Sequence, residues 1–310
     1  MSQPVELSIV TTVYKSEKYL PEFIALILQS IKEIGINNFE LLFVLDGITD
    51  ASKEYLLARK KDIPQIVVVE LSRNFGHHYA ASAGLNTASG DLVFLIDCDL
   101  EVSPTVLTAF FHELKKQSCD VVYGVQKMRK GGFTERFFGG LFWKMINALS
   151  DTKIPHNIVT ERLMTRNYID ALNSMGDKNL FMAGLMYWAG FNQVGVPVDK
   201  KQRTGQSSYS FGKRISLVFE AVTSFSERPL KILFKIGLYI TALSVIASVY
   251  LLIKKILYPN TIFMGYTSVF TLILFSLGML ISSIGIVGIY LSRIFKQVQN
   301  RPLFIIKKIY

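Results

Sequence analysis

The chain has 310 residues, half of them hydrophobic, and a formal net charge of +10 at pH 7. This length allows one large domain or two modest ones, and a mean hydropathy of +0.33 indicates that part of the chain lies in lipid. The two cysteines, Cys98 and Cys119, exclude a disulfide framework and are expected to be reduced and buried.

Apolar runs alternate with helical patterns along the first half of the chain. The runs predict strands at 6–14, 39–45, 66–71, 92–96 and 121–123, and the intervening patterns predict helices at 17–34 and 80–88. Such alternation is typical of parallel βαβ units. We therefore predict an α/β fold with a doubly wound sheet.

Charged residues lie just after three of these strands. Asp46 follows the second, Arg73 the third, and Asp97 and Asp99 the fourth. Ligands of open α/β sheets bind at this carboxyl edge. Two close carboxylates repel each other unless a cation lies between them, and their hard oxygens suit Mg²⁺ or Mn²⁺, which would in turn hold a diphosphate. Arg73 could pair with a phosphate.

Each of these features also has a simpler interpretation. An isolated Asp-x-Asp can be an acidic strand-to-loop turn, and Asp46 and Asp50 can be helix caps, which we favour for Asp50. The adjacent His77 and His78 lack the spacing of a helical metal site, so we expect polar packing there. Neither a dinucleotide-binding glycine motif nor a Walker motif is present.

The motifs together resemble family 2 glycosyltransferases of the GT-A fold. The resemblance is carried by Ser8-Ile-Val-Thr-Thr-Val-Tyr14, Asp46-Gly-x-x-Asp50, Leu71-Ser-Arg-Asn-Phe-Gly76 and Asp97-x-Asp99-Leu100. Within the family the chain is most similar to the polyprenyl-phosphate branch, which includes dolichol-phosphate mannosyltransferases and bactoprenol glucosyltransferases. The resemblance covers the catalytic domain and continues through the apolar C-terminal part.

The resemblance implies roles for particular residues. Val13, Tyr14 and Asp46 would contact the nucleoside, and Asp97 and Asp99 would hold the metal and the diphosphate. The remaining implied substrate contacts, most of them near the phosphates, are Arg73, Asn157, Arg162, Arg203, Ser207 and Tyr209.

The chain departs from the family pattern at several positions. Thr12 replaces a proline, Lys15 and Ser16 replace a polar pair, and Glu101 stands where glutamine is common. Thr160 occupies the position of the aspartate that is the usual candidate base, and Glu161 is the nearest carboxylate. A polyprenyl monophosphate is already largely anionic at cytosolic pH, so a general base would be optional.

Two long uncharged stretches follow the catalytic domain. We predict a cytosolic domain over 1–228, a transmembrane hairpin over 229–293 with spans at about 236–254 and 262–292, and a basic cytosolic tail over 294–310. Basic residues flank both outer ends of the hairpin, and the N-terminus shows no signal-peptide pattern, so both termini are expected in the cytosol. The alternative is two core helices of a soluble protein.

Other segments also indicate a membrane and self-association. Aromatic and basic residues at 133–147 and 211–225 suit interfacial helices, although core-facing helices fit nearly as well. Gly278, Gly285 and Gly288 favour close helix contact, and since family members often form homo-oligomers, we expect a homo-oligomer such as a tetramer. The basic clusters are expected to meet anionic headgroups and polyanionic lipid substrates, and no nucleic-acid partner is expected.

The leading hypothesis is a metal-dependent, inverting glycosyltransferase at the cytosolic face of the inner or plasma membrane. It would transfer a sugar from a nucleotide-sugar to undecaprenyl or dolichyl phosphate, which would supply cell-surface glycan modification such as that of lipopolysaccharide O-antigen. The alternatives are a processive polysaccharide synthase, whose Gln-x-x-Arg-Trp motif is not seen, and a catalytically silent membrane scaffold, which only Thr160 favours.

Overall fold

The computed structural model describes residues 4–47, 50–126, 155, 157–178, 180–201, 228–257 and 266–310. The strands in these ranges are β1 (Leu7–Val13), β2 (Phe39–Leu45), β3 (Ile66–Leu71), β4 (Leu92–Leu95), β5 (Val121–Gln126), β6 (Ile158–Thr165), β7 (Gln193–Val198) and β8 (Ile306–Ile309). The helices are α1 (Leu20–Ile34), α2 (Ser52–Arg59), α3 (His77–Thr87), α4 (Val106–Gln117), α5 (Arg166–Ser174), α6 (Met182–Trp188), α7 (Arg228–Leu257) and α8 (Tyr266–Gln299).

The strands form one mixed sheet in the order β7-β5-β6-β4-β1-β2-β3-β8. The four predicted strands β1 to β4 pair in parallel, which confirms the α/β class and the βαβ units. The sheet differs from a wholly parallel one at two places, because β6 runs antiparallel between β4 and β5, and β8 runs antiparallel beside β3.

Apolar side chains fill both faces of the sheet. On the face covered by α1 and α4, the ring of Phe23 meets Phe43 edge-to-face at 6.1 Å, and Phe94 meets Phe110 at 6.0 Å. Both cysteines are free and buried, as predicted. These clusters fix the strands whose carboxyl ends carry the predicted site.

Helix α3 lies very close to the other face of the sheet. It is rich in small residues, and a Cβ added to Gly84 would overlap Val10 and lie 2.9 Å from Val44. The helix begins at His77, earlier than the predicted 80–88, because the loop ends at Gly76 with a φ of +103°. This close packing brings the first residue of α3 to the carboxyl edge of β1 and β4.

Two long apolar helices follow the sheet domain. Helix α7 has 30 residues and α8 has 34, and they contain the predicted spans except for 262–265, which lie outside the described residues together with the turn at 258–260. Within the described ranges, the stretch Ser276–Gln299 has the length and hydropathy needed to cross a bilayer, and none of it is buried. The two helices contact each other, with Phe234 of α7 and Val287 of α8 lining the same groove.

The C-terminal residues return from α8 to the sheet. Gln297 near the end of α8 accepts a hydrogen bond from Lys178 N at 3.0 Å and donates one to the Gly176 carbonyl at 3.2 Å. Strand β8 then pairs with β3. The end of α8 is therefore attached to the sheet domain at two places.

Candidate active site

The acidic pair lies where β4 ends, as the sequence predicts. Asp97 is 28 % exposed, and its Oδ1 has no hydrogen-bond partner within the described part of the chain. Asp99 Oδ1 accepts a hydrogen bond from Glu101 N at 3.0 Å. Burial, with the negative charges of Glu101 and Asp97, raises the pKa of Asp99. The carboxyl edge at the end of β4 therefore carries negative charge that hydrogen bonds from the described residues compensate only in part.

Glu161 contributes a third carboxylate near this pair. It lies on β6, next to Arg162, which pairs with Leu95 just before the acidic turn. The residue is only 3 % exposed, and Oε2 has no hydrogen-bond partner among the described residues. Burial, and then the charge of Asp97, raise the pKa of Glu161 to about 7. A group with this pKa can accept or release a proton near neutral pH.

An ion pair connects the acidic turn to the segment after β7. Lys200 Nζ lies 2.8 Å from Glu101 Oε2, and Lys201 N donates to the Glu101 carbonyl at 2.7 Å. A bridge between Val102 and Lys200 adds a main-chain contact. The predicted phosphate-binding Arg203, Ser207 and Tyr209 lie just beyond, outside the described residues, as do the segments 133–147 and 211–225.

Asp46 is a buried acceptor at the end of β2. Its Oδ1 accepts a hydrogen bond from Phe75 N at 2.7 Å, and its Oδ2 accepts one from Gly76 N at 2.9 Å. The Asn74 side chain donates to the Asp46 carbonyl at 3.1 Å. In this state Asp46 holds the loop before α3, and its predicted contact with a nucleoside stays a prediction.

The other residues predicted to bind the nucleoside or phosphates differ in accessibility. Tyr14 is 46 % exposed, whereas Val13 is fully buried, so its predicted contact with the nucleoside stays a prediction. Arg73 is exposed, with its guanidinium 4.1 Å from the centroid of the Phe75 ring. Tyr14 and Arg73 can therefore reach a ligand at this edge without rearrangement of the core.

Three predicted residues lie on or beside β6. Arg162 is 2 % exposed, its Nε and Nη1 have no hydrogen-bond partner in the described ranges, and its guanidinium lies 5.7 Å from the Tyr123 ring. Thr160 and Asn157 are half-buried, and the Asn157 carbonyl accepts from Gln126 N. The predicted roles of all three stay predictions.

His77 also lies at this edge, which the sequence reasoning did not anticipate. Its Nδ1 is 3.0 Å from Thr12 Oγ1, and its Nε2 is 3.5 Å from Asp97 Oδ1. The expected polar packing of this histidine is therefore against the predicted metal ligand. The signal available in the sequence was the hydroxyl of Thr12 at a position where the family carries proline.

The residues at this edge fit a divalent cation whose remaining coordination positions would be filled by the substrate and water. Asp97 Oδ1 is a buried carboxylate oxygen without a hydrogen-bond partner in the described ranges, which is the donor type that Mg²⁺ and Mn²⁺ prefer. No group of three or more His, Cys, Asp or Glu with metal-binding geometry occurs in the described ranges. The pair would therefore leave coordination positions for diphosphate oxygens and water, as is usual for Mg²⁺.

Comparisons with known proteins agree with the resemblance seen in the sequence. The family described as Glycosyl transferase family 2 matches residues 8–172. A protein of Mycobacterium tuberculosis called "Putative glycosyltransferases" is 38 % identical over 99 % of this chain and 89 % of its own length. The SfII prophage-derived bactoprenol glucosyl transferase of Shigella flexneri is 32 % identical over 98 % of each chain.

Among solved structures, the chain is similar to a mannosyltransferase of Pyrobaculum calidifontis in complex with GDP-Man and Mn²⁺. The two share 14 % identity with a TM-score of 0.47, over 96 % of this chain and 88 % of that one. The family match covers more than half of this chain, and the relative from Mycobacterium tuberculosis matches nearly all of it. The chain therefore belongs to glycosyl transferase family 2, with a GT-A fold, and is a glycosyltransferase.

Proposed function

We propose that the chain transfers a sugar from a nucleotide-sugar to a polyprenyl phosphate, undecaprenyl or dolichyl, at the cytosolic face of the membrane. One observation carries this proposal. The sheet that bears carboxylates without hydrogen-bond partners at its edge belongs to the same domain to which the end of a long apolar helix is hydrogen-bonded. Asp97 lies at the carboxyl edge of that sheet, and Gln297 at the end of α8 is hydrogen-bonded to the loop after α5.

On the donor side, Tyr14 and Asp46 would contact the nucleoside, while Asp97 and Asp99 would hold Mg²⁺ or Mn²⁺. When bound, the ion would neutralise the negative charge that develops on the departing nucleoside diphosphate. Arg73 is exposed beside this edge and carries the charge and the donors that a phosphate requires. The donor would therefore lie over the carboxyl ends of β1, β2 and β4.

On the acceptor side, the support comes from the relatives and from the apolar helices. Relatives named bactoprenol glucosyl transferase match 98 % of this chain, which includes both long helices. Exposed apolar side chains such as Leu238, Ile284 and Leu291 would be unfavourable in water and suit hydrocarbon. We propose that α7 and α8 span the inner or plasma membrane as a hairpin, with both termini in the cytosol.

In the transfer step, an oxygen of the lipid phosphate would attack C1 of the sugar. The bond from C1 to the diphosphate oxygen would break with its electron pair, and the configuration at C1 would invert. The phosphate is a competent nucleophile in its dianionic form, so alignment would contribute most of the rate. For a singly protonated phosphate, Glu161 would accept the proton, since burial keeps its pKa near 7.

The remaining residues would align the two phosphates, and the product would leave on the lipid. Thr160 stands at the family's base position, and Asn157, Arg162, Arg203, Ser207 and Tyr209 would contact phosphate groups. The product would be a lipid-linked sugar for cell-surface glycan modification such as that of O-antigen. We also propose a homo-oligomer such as a tetramer. A Cβ at Gly278, Gly285 or Gly288 would meet no described atom within 4 Å, so a helix of another copy could approach α8 closely there.

The test is the transfer of radiolabelled sugar into organic-extractable lipid by membranes that contain the full chain. UDP-, GDP- and dTDP-sugars are supplied in turn, with EDTA and with restored Mg²⁺ or Mn²⁺. We expect one donor to label the lipid, and EDTA to abolish the label until metal is restored. Label in a polymer would instead indicate a processive synthase, and no label with any donor would indicate a silent scaffold.

A further inference from the structure

The N-terminus of α3 is held in a fixed position beside the acidic pair. The Asp46 carboxylate accepts from the amides of Phe75 and Gly76, the two residues that precede the helix. Gly76 has a φ of +103°, a conformation that favours glycine, and α3 packs closely on β1 through Gly84. The position of His77, the first residue of the helix, is therefore fixed by the loop that precedes it and by the close packing of the helix that follows it.

The imidazole of His77 joins the ends of β1 and β4. On one side, Nδ1 lies 3.0 Å from the hydroxyl of Thr12, and on the other, Nε2 lies 3.5 Å from Asp97 Oδ1. That oxygen is buried and has no hydrogen-bond partner within the described ranges. The neighbouring His78 has its ring 5.4 Å from that of His77, with the planes at 61°.

The Asp97 carboxylate can only accept, so it favours the neutral tautomer with its hydrogen on Nε2, and the Thr12 hydroxyl can then donate to Nδ1. When the hydroxyl donates to Nδ1, the hydrogen of a neutral ring is on Nε2 and faces the Asp97 carboxylate. At 3.5 Å this contact is longer than a hydrogen bond, but the positive end of the N–H still attracts the carboxylate. In many metal sites, ligands are oriented in this way by groups that do not touch the metal.

We propose that His77 is a positioning residue that, together with Thr12, orients the Asp97 carboxylate for a divalent cation. This inference rests on the proposed metal site at Asp97 and Asp99. It also explains Thr12, because proline at that position would have no hydroxyl to offer the imidazole. The sequence pair Thr12 and His77 would thus act as one unit, although 65 positions separate its two members.

The test measures Mn²⁺ binding to the detergent-solubilised full chain. The electron paramagnetic resonance signal of free Mn²⁺ reports how much of the ion remains unbound. We expect His77→Ala to weaken Mn²⁺ binding about 10- to 100-fold, which is the usual effect of losing such a partner. His77→Gln should stay within about threefold, since its amide can offer an N–H near the position of Nε2. Thr12→Val should fall between these two, and the adjacent His78→Ala is the matched control.

Several outcomes would overturn the inference. Wild-type affinity in His77→Ala would show that the imidazole does not orient the site. A nitrogen coupling in the pulsed spectrum of bound Mn²⁺ would show that His77 is a direct ligand. Asp97→Asn with Asp99→Asn separates the two proposals. If that double variant binds Mn²⁺ like the wild type, the metal site fails and the inference with it. If His77→Ala is not folded, the Mn²⁺ affinities of His77→Gln and Thr12→Val are compared instead. Equal affinities of these two variants would overturn the positioning role of His77.

Discussion

Glu70 and the carboxylates near the end of β4 lie at different parts of the same sheet and differ in how their charge is compensated. On β3, Glu70 is contacted by Lys53 at 2.7 Å, Lys307 at 2.8 Å and the Tyr310 hydroxyl at 2.8 Å. Hydrogen bonds from Lys307 and Lys53 lower the pKa of Glu70 to about 2. At the end of β4, by contrast, Asp97 has an unpartnered oxygen, and burial raises the pKa of Glu161 to about 7.

The difference separates a structural role from a functional one. The partners of Glu70 come from α2 and from β8, so its charge fastens the C-terminal strand to the sheet. At the β4 edge, Asp97 Oδ1 and Glu161 Oε2 have no hydrogen-bond partner in the described ranges, and the Asp97 oxygen can bind an external cation. Strongly perturbed acids of this kind in a ligand-binding edge are typical of functional sites. Three experiments test the comparison through the effects of substitutions on stability, given in order of expected size.

The largest effect on stability is expected for Glu161→Gln without metal. Since burial and Asp97 raise the pKa of Glu161 from 4.5 to about 7, the folded state binds an extra proton between these values, and its stability falls as pH rises through them. We expect the variant to be more stable than the wild type by about 3 kcal/mol at pH 8 and similar to it at pH 4.

This expectation is measured as the free energy of unfolding in detergent with EDTA, from pH 4 to pH 8. Glu22→Gln, on the exposed side of α1, is the control for removing one carboxylate. If the free energy of unfolding depends on pH in the same way for the wild type, Glu161→Gln and Glu22→Gln, then Glu161 is not a buried, uncompensated acid.

A smaller effect of opposite sign is expected for Glu70→Gln. The lowered pKa of Glu70 means that its contribution is present above about pH 4.5 and is lost as pH falls towards 2. The pairs are partly solvated, so we expect a loss of about 1 kcal/mol at pH 7, which is reduced in high salt. Hydrogen exchange of β8 amides should rise in the variant, and unchanged exchange would show that Glu70 does not fasten this strand.

The smallest effect is expected for the pair of Lys200 and Glu101, because it is a single ion pair, whereas three groups contact Glu70. Lys200 is 37 % exposed and Glu101 is 17 % exposed, so their coupling should be below about 1 kcal/mol. A double-mutant cycle with Lys200→Met and Glu101→Gln measures it. A coupling energy above about 2 kcal/mol would show that this pair behaves like a buried, structural ion pair.

The sequence predicted β1 to β4 well because each of them consists mainly of β-branched and other apolar residues. It did not predict β6, since Thr160, Glu161 and Arg162 occupy the middle of that strand. Strand β7 was also not predicted, because Gly195 and Pro197 are unfavourable in strands. Pro197 is tolerated because β7 lies at the edge of the sheet, a position that only the tertiary structure defines.

The same contrast applies to the site. Asp46, Asp97 and Asp99 could be predicted because the end of a parallel strand has a known location in the fold. The contact of His77 with Asp97 depends on where α3 begins and how closely it approaches β1, and neither follows from local pattern. The burial of Glu161 likewise follows from the unpredicted antiparallel pairing of β6 with β4.

The most direct test of the central claim is glycolipid formation by Asp97→Asn combined with Asp99→Asn. Membranes with the wild type, the double variant or Asp62→Asn are compared at equal protein content, with Mg²⁺ and the donor that labels the wild type. We predict that transfer of sugar to extractable lipid falls by at least about 100-fold in the double variant and is unchanged in Asp62→Asn. Wild-type rates in the double variant would contradict the claim that these carboxylates hold the catalytic cation.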